Sequence, residues 1–172
     1  MIILGVDPGY TNLGLAIIDS ENMEIVHAET ITVGVEARPD LFAQRLWPRL
    51  ERLADIYPIQ AVATETPPYL TPGGRRGGGR SKATLVKTSA LLARVSGIIQ
   101  AWAEFRGASY KEIPPVTLKR HCAKLLKCQE RNPNKTQIGD AVEEIFGQRA
   151  GNSHANDAAL IAHLFSHAYA VT

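Results

Sequence analysis

The sequence predicts an α/β domain with a mixed five-stranded sheet, in which an antiparallel three-strand meander is extended by parallel strands and helices cover both faces. Three observations carry that expectation. Two apolar runs near the start, residues 2 to 6 and 13 to 18, flank the turn formers Pro8, Gly9, Thr11 and Asn12, and a β-branched segment follows them. Two further short strand-like segments stand later in the chain, between stretches of helical periodicity. Finally, 172 residues with 45% hydrophobic content suffice for one ordinary core and divide poorly into two, so a single domain over 1–172 is expected.

In chain order, MIILGVDPGYTNLGLAIID reads as a β-hairpin with Asp7 at the end of its first strand. EIVHAETITV, residues 24 to 33, is a third strand beside the pair. Residues 41 to 57 return to helical spacing, and Pro48 is expected to kink or divide that helix. QAVATE, residues 60 to 65, is a short buried strand that ends on Glu65. Residues 66 to 80, TPPYLTPGGRRGGGR, have no core periodicity and read as a flexible basic loop. From Ser81 to Arg106, Leu85, Leu92, Val95, Ile98, Ile99 and Trp102 recur at helical spacing and give a long helix with one apolar face. SYKEI, residues 109 to 113, is a last strand closed by Pro114 and Pro115. Helices are expected at 116 to 127, 135 to 147 and 154 to 170. No internal repeat is present.

Net charge is only +2, yet the charges are unevenly placed. Residues 71 to 135 hold 14 Lys and Arg against Glu104, Glu112 and Glu130, whereas the remainder holds 5 Lys and Arg against 14 Asp and Glu. A basic middle beside an acidic remainder suits a protein that grips a polyanion in one place and holds cations in another. A solvated basic helix face would give the same count, so charge alone leaves both readings open. No apolar run is long enough to span a membrane and no basic leader precedes the first strand, so a soluble protein without a membrane partner is expected. Cys122 and Cys128, the two cysteines, fit reduced thiols in a cytoplasm better than a disulfide, and with His121 they lack a fourth ligand at zinc-like spacing.

Three carboxylates occupy places where a core residue is not normally charged. Asp7 follows Ile2, Ile3, Leu4 and Val6; Glu65 follows Ala61, Val62 and Ala63; Asp157 opens the apolar run ALIAHLF. Such groups are costly unless they bind cations. Hard cations such as Mg²⁺ and Mn²⁺ take oxygen ligands, and a pair of them activates water at a phosphodiester. His154, three residues before Asp157, projects from nearly the same helix face and suits metal ligation or proton transfer; helix capping together with Asn152 and Ser153 is the plainer alternative. His163 and His167 form an i, i+4 pair with no acidic partner nearby and read as helix-surface residues.

With these residues assembled, the chain resembles the RuvC-type Holliday junction resolvases of the RNase H-like nuclease superfamily, over nearly its whole length. ILGVDPGYTNLGLAIID is similar to that family's first strand, metal-binding Asp, Pro-Gly turn and second strand. AVATE is similar to the strand bearing the second carboxylate, and HANDAALIA to the C-terminal helix in which an acidic residue or a histidine precedes the final Asp by three positions. The resemblance implies an RNase H-like fold and makes Asp7, Glu65, His154 and Asp157 catalytic and metal-binding, with two Mg²⁺ per site and Mn²⁺ as a substitute. KTQI at 135 to 138 and VTLK at 116 to 119 match further segments, which makes Lys119 and Lys135 phosphate contacts. Tyr69 is the nearest counterpart of the family's stacking aromatic, although its spacing and the flanking Pro67 and Pro68 depart from the pattern. Arg75, Arg76, Arg80 and Lys82 extend the expected DNA-contacting set.

The implied activity is crossover junction endodeoxyribonuclease, acting in DNA recombination and repair as a homodimer on four-way junction DNA, with a branch-migration motor as a possible partner. The implied setting is the cytoplasm at the nucleoid, or an organelle or virus if the host is not a bacterium. Sugar kinases and Hsp70-like ATPases also begin with an acidic residue in a β-turn-β phosphate loop, but they need two copies of the fold. A catalytically silent nucleic-acid binder would not need the acidic set. Another RNase H-like nuclease, acting on RNA–DNA hybrid or branched DNA, would not need the matches at Lys119 and Lys135.

Overall fold

The computed structural model describes residues 1–9, 11–32, 39–67, 82–127 and 133–169, and at 39–42 and 82–87 the backbone alone. The elements are β1 (Ile2–Asp7), β2 (Asn12–Asp19), β3 (Glu24–Thr32), α1 (Pro39–Ile56), β4 (Ala61–Glu65), α2 (Lys82–Phe105), β5 (Ser109–Ile113), α3 (Pro115–Leu125), α4 (Lys135–Phe146) and α5 (Ser153–Ala168). The strands form one sheet in the order β3-β2-β1-β4-β5. β1, β2 and β3 pair antiparallel; β4 is parallel to β1, and β5 to β4. This is the expected mixed sheet, a meander extended by two strands that arrive through helical crossovers.

Strand alternation sorts the core into two layers. Leu4 and Val6 of β1, with Leu13, Leu15 and Ile17 of β2 and Val62 of β4, pack against α1 and α2. Helix α1 supplies Leu46, Leu50 and Leu53, and α2 supplies Val95, Ile99 and Trp102. On the other face, Ile3, Ala16, Ile18, Ala61 and Ala63 pack against α3, α4 and α5. Helix α5 is buried from Ala155 to Phe165, because the sheet lies on one side of it and α3 and α4 on the other. No helix among the described residues is long and apolar enough to cross a membrane.

Two expectations need correction. Pro48 does not divide α1, which runs unbroken across it. Gln44 and Pro48 are both exposed, so the carbonyl that loses its N–H partner lies on the solvent side. His163 is not a helix-surface residue: it is only 2% exposed. A partner from outside its own helix, His121 of α3, meets it there, and the i, i+4 spacing alone gave no sign of that contact.

Candidate active site

The same alternation brings the acidic residues together. Ile3 and Ala61 face α5, so the residues two and four further along, Gly5 and Asp7 on β1 and Ala63 and Glu65 on β4, face it as well. β1 and β4 are parallel and paired through Val6 and Thr64, so Asp7 and Glu65 end neighbouring strands at the same edge of the sheet.

Helix α5 lies unusually close to that face. A Cβ on Gly5 would overlap the carbonyl oxygen of Ala158, and one on Gly14 would overlap the carbonyl of His154. A glycine weakens a strand interior, and here it is required for the backbone approach. The start of α5 is then fixed by its cap. Asn152 Oδ1 accepts from the backbone N–H of His154 at 3.1 Å and of Ala155 at 3.2 Å, and Thr30 Oγ1 of β3 donates to the same oxygen at 2.8 Å. Gly151 before it has φ 126°, a conformation that favours glycine.

Placed this way, His154 Nδ1 meets Asp7 Oδ2 at 2.7 Å. An ionised carboxylate only accepts, so Nδ1 carries the proton and Nε2 keeps its lone pair. Asp157, one helical turn on, has a side chain 5% exposed; its Oδ2 pairs with Lys135 Nζ of α4, and its buried Oδ1 has no hydrogen-bond partner. The Glu65 carboxyl is pushed up to about 7, chiefly by burial and then by the charge of Asp7, against the opposing pull of Lys135 and Lys119. Five ionisable groups from β1, β4, α3, α4 and α5 thus share one electrostatic neighbourhood, with His154 bonded into it.

No family model matches the sequence, and no curated protein matches it. Solved structures do. Thermus thermophilus RuvC is similar with a TM-score of 0.73, 20% identity and coverage of 96% of this chain and 93% of that one. The same figures for identity and coverage, with a TM-score of 0.71, hold for T. thermophilus RuvC in complex with Holliday junction substrate. The yeast mitochondrial Holliday junction resolvase Ydc2 is similar with a TM-score of 0.60, 16% identity and coverage of 94% and 75%. The chain has the RuvC fold.

Within this RuvC fold, Asp7, Glu65, His154 and Asp157 converge, and Lys119 and Lys135 lie near enough to act on Glu65. Lys82 begins α2. Tyr69, Arg75, Arg76 and Arg80, and nearly all of the basic loop, lie outside the described residues, as does Cys128. Cys122 is buried and packs in the core. Sequence reasoning missed the residues that position the site: Gly5 and Gly14, which admit α5, and Thr30, which holds its cap. The glycines left a signal, since each interrupts an otherwise β-favouring apolar run facing the alanine-rich ANDAALIA.

As placed, no three His, Cys, Asp or Glu among the described residues gather their donor atoms on one point. The donor set nevertheless fits a hard divalent cation. Asp7, Glu65 and Asp157 offer carboxylate oxygens, and Asp157 Oδ1 is buried with nothing to satisfy it. Glu65 resists ionisation because negative charge is already crowded beside it, and a cation would relieve that.

Proposed function

We propose that this chain is a divalent-metal-dependent endonuclease that resolves four-way DNA junctions, with one RNase H-like nuclease domain over 1–172. The observation that carries the reading is the meeting of Asp7, Glu65, His154 and Asp157 at one sheet edge in a fold shared with a resolvase solved on its junction substrate. Asp7, Glu65 and Asp157 hold Mg²⁺, two ions per site, with Mn²⁺ as a substitute. Bound there, the metal neutralises the phosphate and lowers the pKa of a ligated water.

The chain's own groups supply the rest. Asp7 holds the His154 ring in the tautomer with a free Nε2, which ligates an ion or takes a proton from the attacking water. Lys119 and Lys135 steady the scissile backbone, while Arg75, Arg76, Arg80 and Lys82 extend the grip on phosphate. Tyr69 stacks on an opened base at the junction centre. A junction has two-fold symmetry, so paired cutting calls for a C₂ homodimer, and a branch-migration motor is a natural partner. The setting is wherever recombining DNA lies, nucleoid, organelle or virus.

The test is incubation with Mg²⁺ and a synthetic four-way junction. Paired symmetric nicks are expected, and Asp7→Asn should slow cleavage at least about 10²- to 10³-fold while junction binding persists. Preferred cutting of plain duplex or RNA–DNA hybrid overturns the resolvase reading.

A further inference from the structure

At the far end of α5, away from the acidic residues, three histidines come together that the cleavage chemistry does not use. His121 Nε2 of α3 and His163 Nδ1 of α5 lie 2.9 Å apart. The His163 and His167 ring centroids are 4.4 Å apart, His121 and His163 5.1 Å, and His121 and His167 6.3 Å. Imidazoles that share one metal at about 2.0–2.1 Å from each nitrogen hold their centroids roughly 4.5 to 6.5 Å apart. The three rings therefore already stand at the spacing of a common ligand set.

We propose that His121, His163 and His167 form a second metal site, distinct from the acidic one, that takes a borderline divalent transition metal such as Zn²⁺ through three imidazole nitrogens. Two helical histidines at i and i+4 are a recognised chelating pair, and α3 supplies the third ligand. The site is nitrogen-rich with no carboxylate, which selects against Mg²⁺ and Ca²⁺. Burial, reinforced by neighbouring positive charge, holds His121 down at about 4 and His163 at about 3, so both rings are neutral at physiological pH and ready to ligate.

Binding asks for two adjustments. In the present contact one ring donates to the other, so the shared proton moves to an outer ring nitrogen and both inner lone pairs turn to the metal; no net proton is released from this pair. The exposed His167 turns its ring towards the same point, a rotamer change open to a surface residue near a helix end. Such a metal clamps α3 to α5. Lys119 lies two residues before His121, so the clamp also fixes the helix that brings Lys119 to Glu65.

The experiment is calorimetric titration of the full chain with Zn²⁺ in excess Mg²⁺, repeated on Asp7→Asn. One Zn²⁺ per chain is expected in both proteins, with affinity falling at least about 10-fold in His121→Ala and in His167→Ala. In the unmodified protein, free Zn²⁺ about 100-fold above its Kd should raise Tm by roughly 5 to 10 °C. Absence of zinc binding, its loss in Asp7→Asn, or its persistence undiminished in a chain carrying both histidine substitutions overturns the site.

Discussion

The two ends of α5 present opposite solutions to the same problem, which is how to keep ionisable side chains in a buried helix. At its start, Asp157 and His154 meet Asp7, Glu65 and Lys135, and the cluster is rich in oxygen and negative charge. Towards its end, His163 meets His121 and His167, a nitrogen cluster in which the buried rings are neutral. Burial favours the uncharged form at both ends, but that raises a carboxyl and lowers an imidazole. The difference teaches that one helix can carry two sites of contrasting cation preference, set by donor chemistry alone.

The largest expected effect breaks both ends together. Gly5→Ala drives a methyl into the Ala158 carbonyl midway along the helix, and urea denaturation should report a loss of about 3 kcal/mol. A loss under about 1 kcal/mol would mean that α5 has room to retreat.

The next prediction separates the ends by pH. Glu65 has a folded pKa raised from 4.5 to about 7, so its contribution to stability is full below the unfolded value and is lost as pH rises towards 7. His163 has a folded pKa lowered from 6.5 to about 3, so its contribution is full above 6.5 and is lost as pH falls. Between about pH 4.5 and 6.5 the two slopes oppose each other. Melting in EDTA from pH 7 to pH 5 should therefore show Glu65→Gln losing Tm more steeply than the parent protein, and His163→Leu less steeply. Parallel curves for all three proteins would contradict the assignment.

The smallest effect concerns the acidic end only. Asn152→Ala removes the acceptor shared by two backbone N–H groups and Thr30, at about 1 kcal/mol, and it loosens the turn that carries His154. Metal-dependent cleavage should fall further than the stability change accounts for, while zinc titration at the histidine end stays unchanged. A matching loss at both ends would show that the cap serves the helix as a whole.

Much of this was legible in the sequence because the signals were local. Strand alternation and turn residues define the hairpin, and the position of Asp7 and Glu65 at the ends of apolar runs marks them as partners of cations. His154 and Asp157 share a helix face by spacing alone. The pairing of Lys135 with Asp157 was not legible, since it depends on α4 packing beside α5. Neither was the burial of His163, because the residue that covers it, His121, lies 42 positions earlier on another helix. Pro48 misled for a related reason: whether a missing N–H breaks a helix depends on which side faces solvent, and the third dimension decides that.

The order of elements along the chain has a consequence for synthesis. β1 delivers Asp7 first, β4 then brings Glu65, and α5, with His154 and Asp157, is the last element of all. A chain still emerging from the ribosome can assemble the meander and much of the sheet, but the acidic quartet is incomplete until the final helix docks across Gly5 and Gly14. An enzyme that cuts the host's own DNA is thereby inert while nascent, and a message truncated before α5 yields a fragment without teeth.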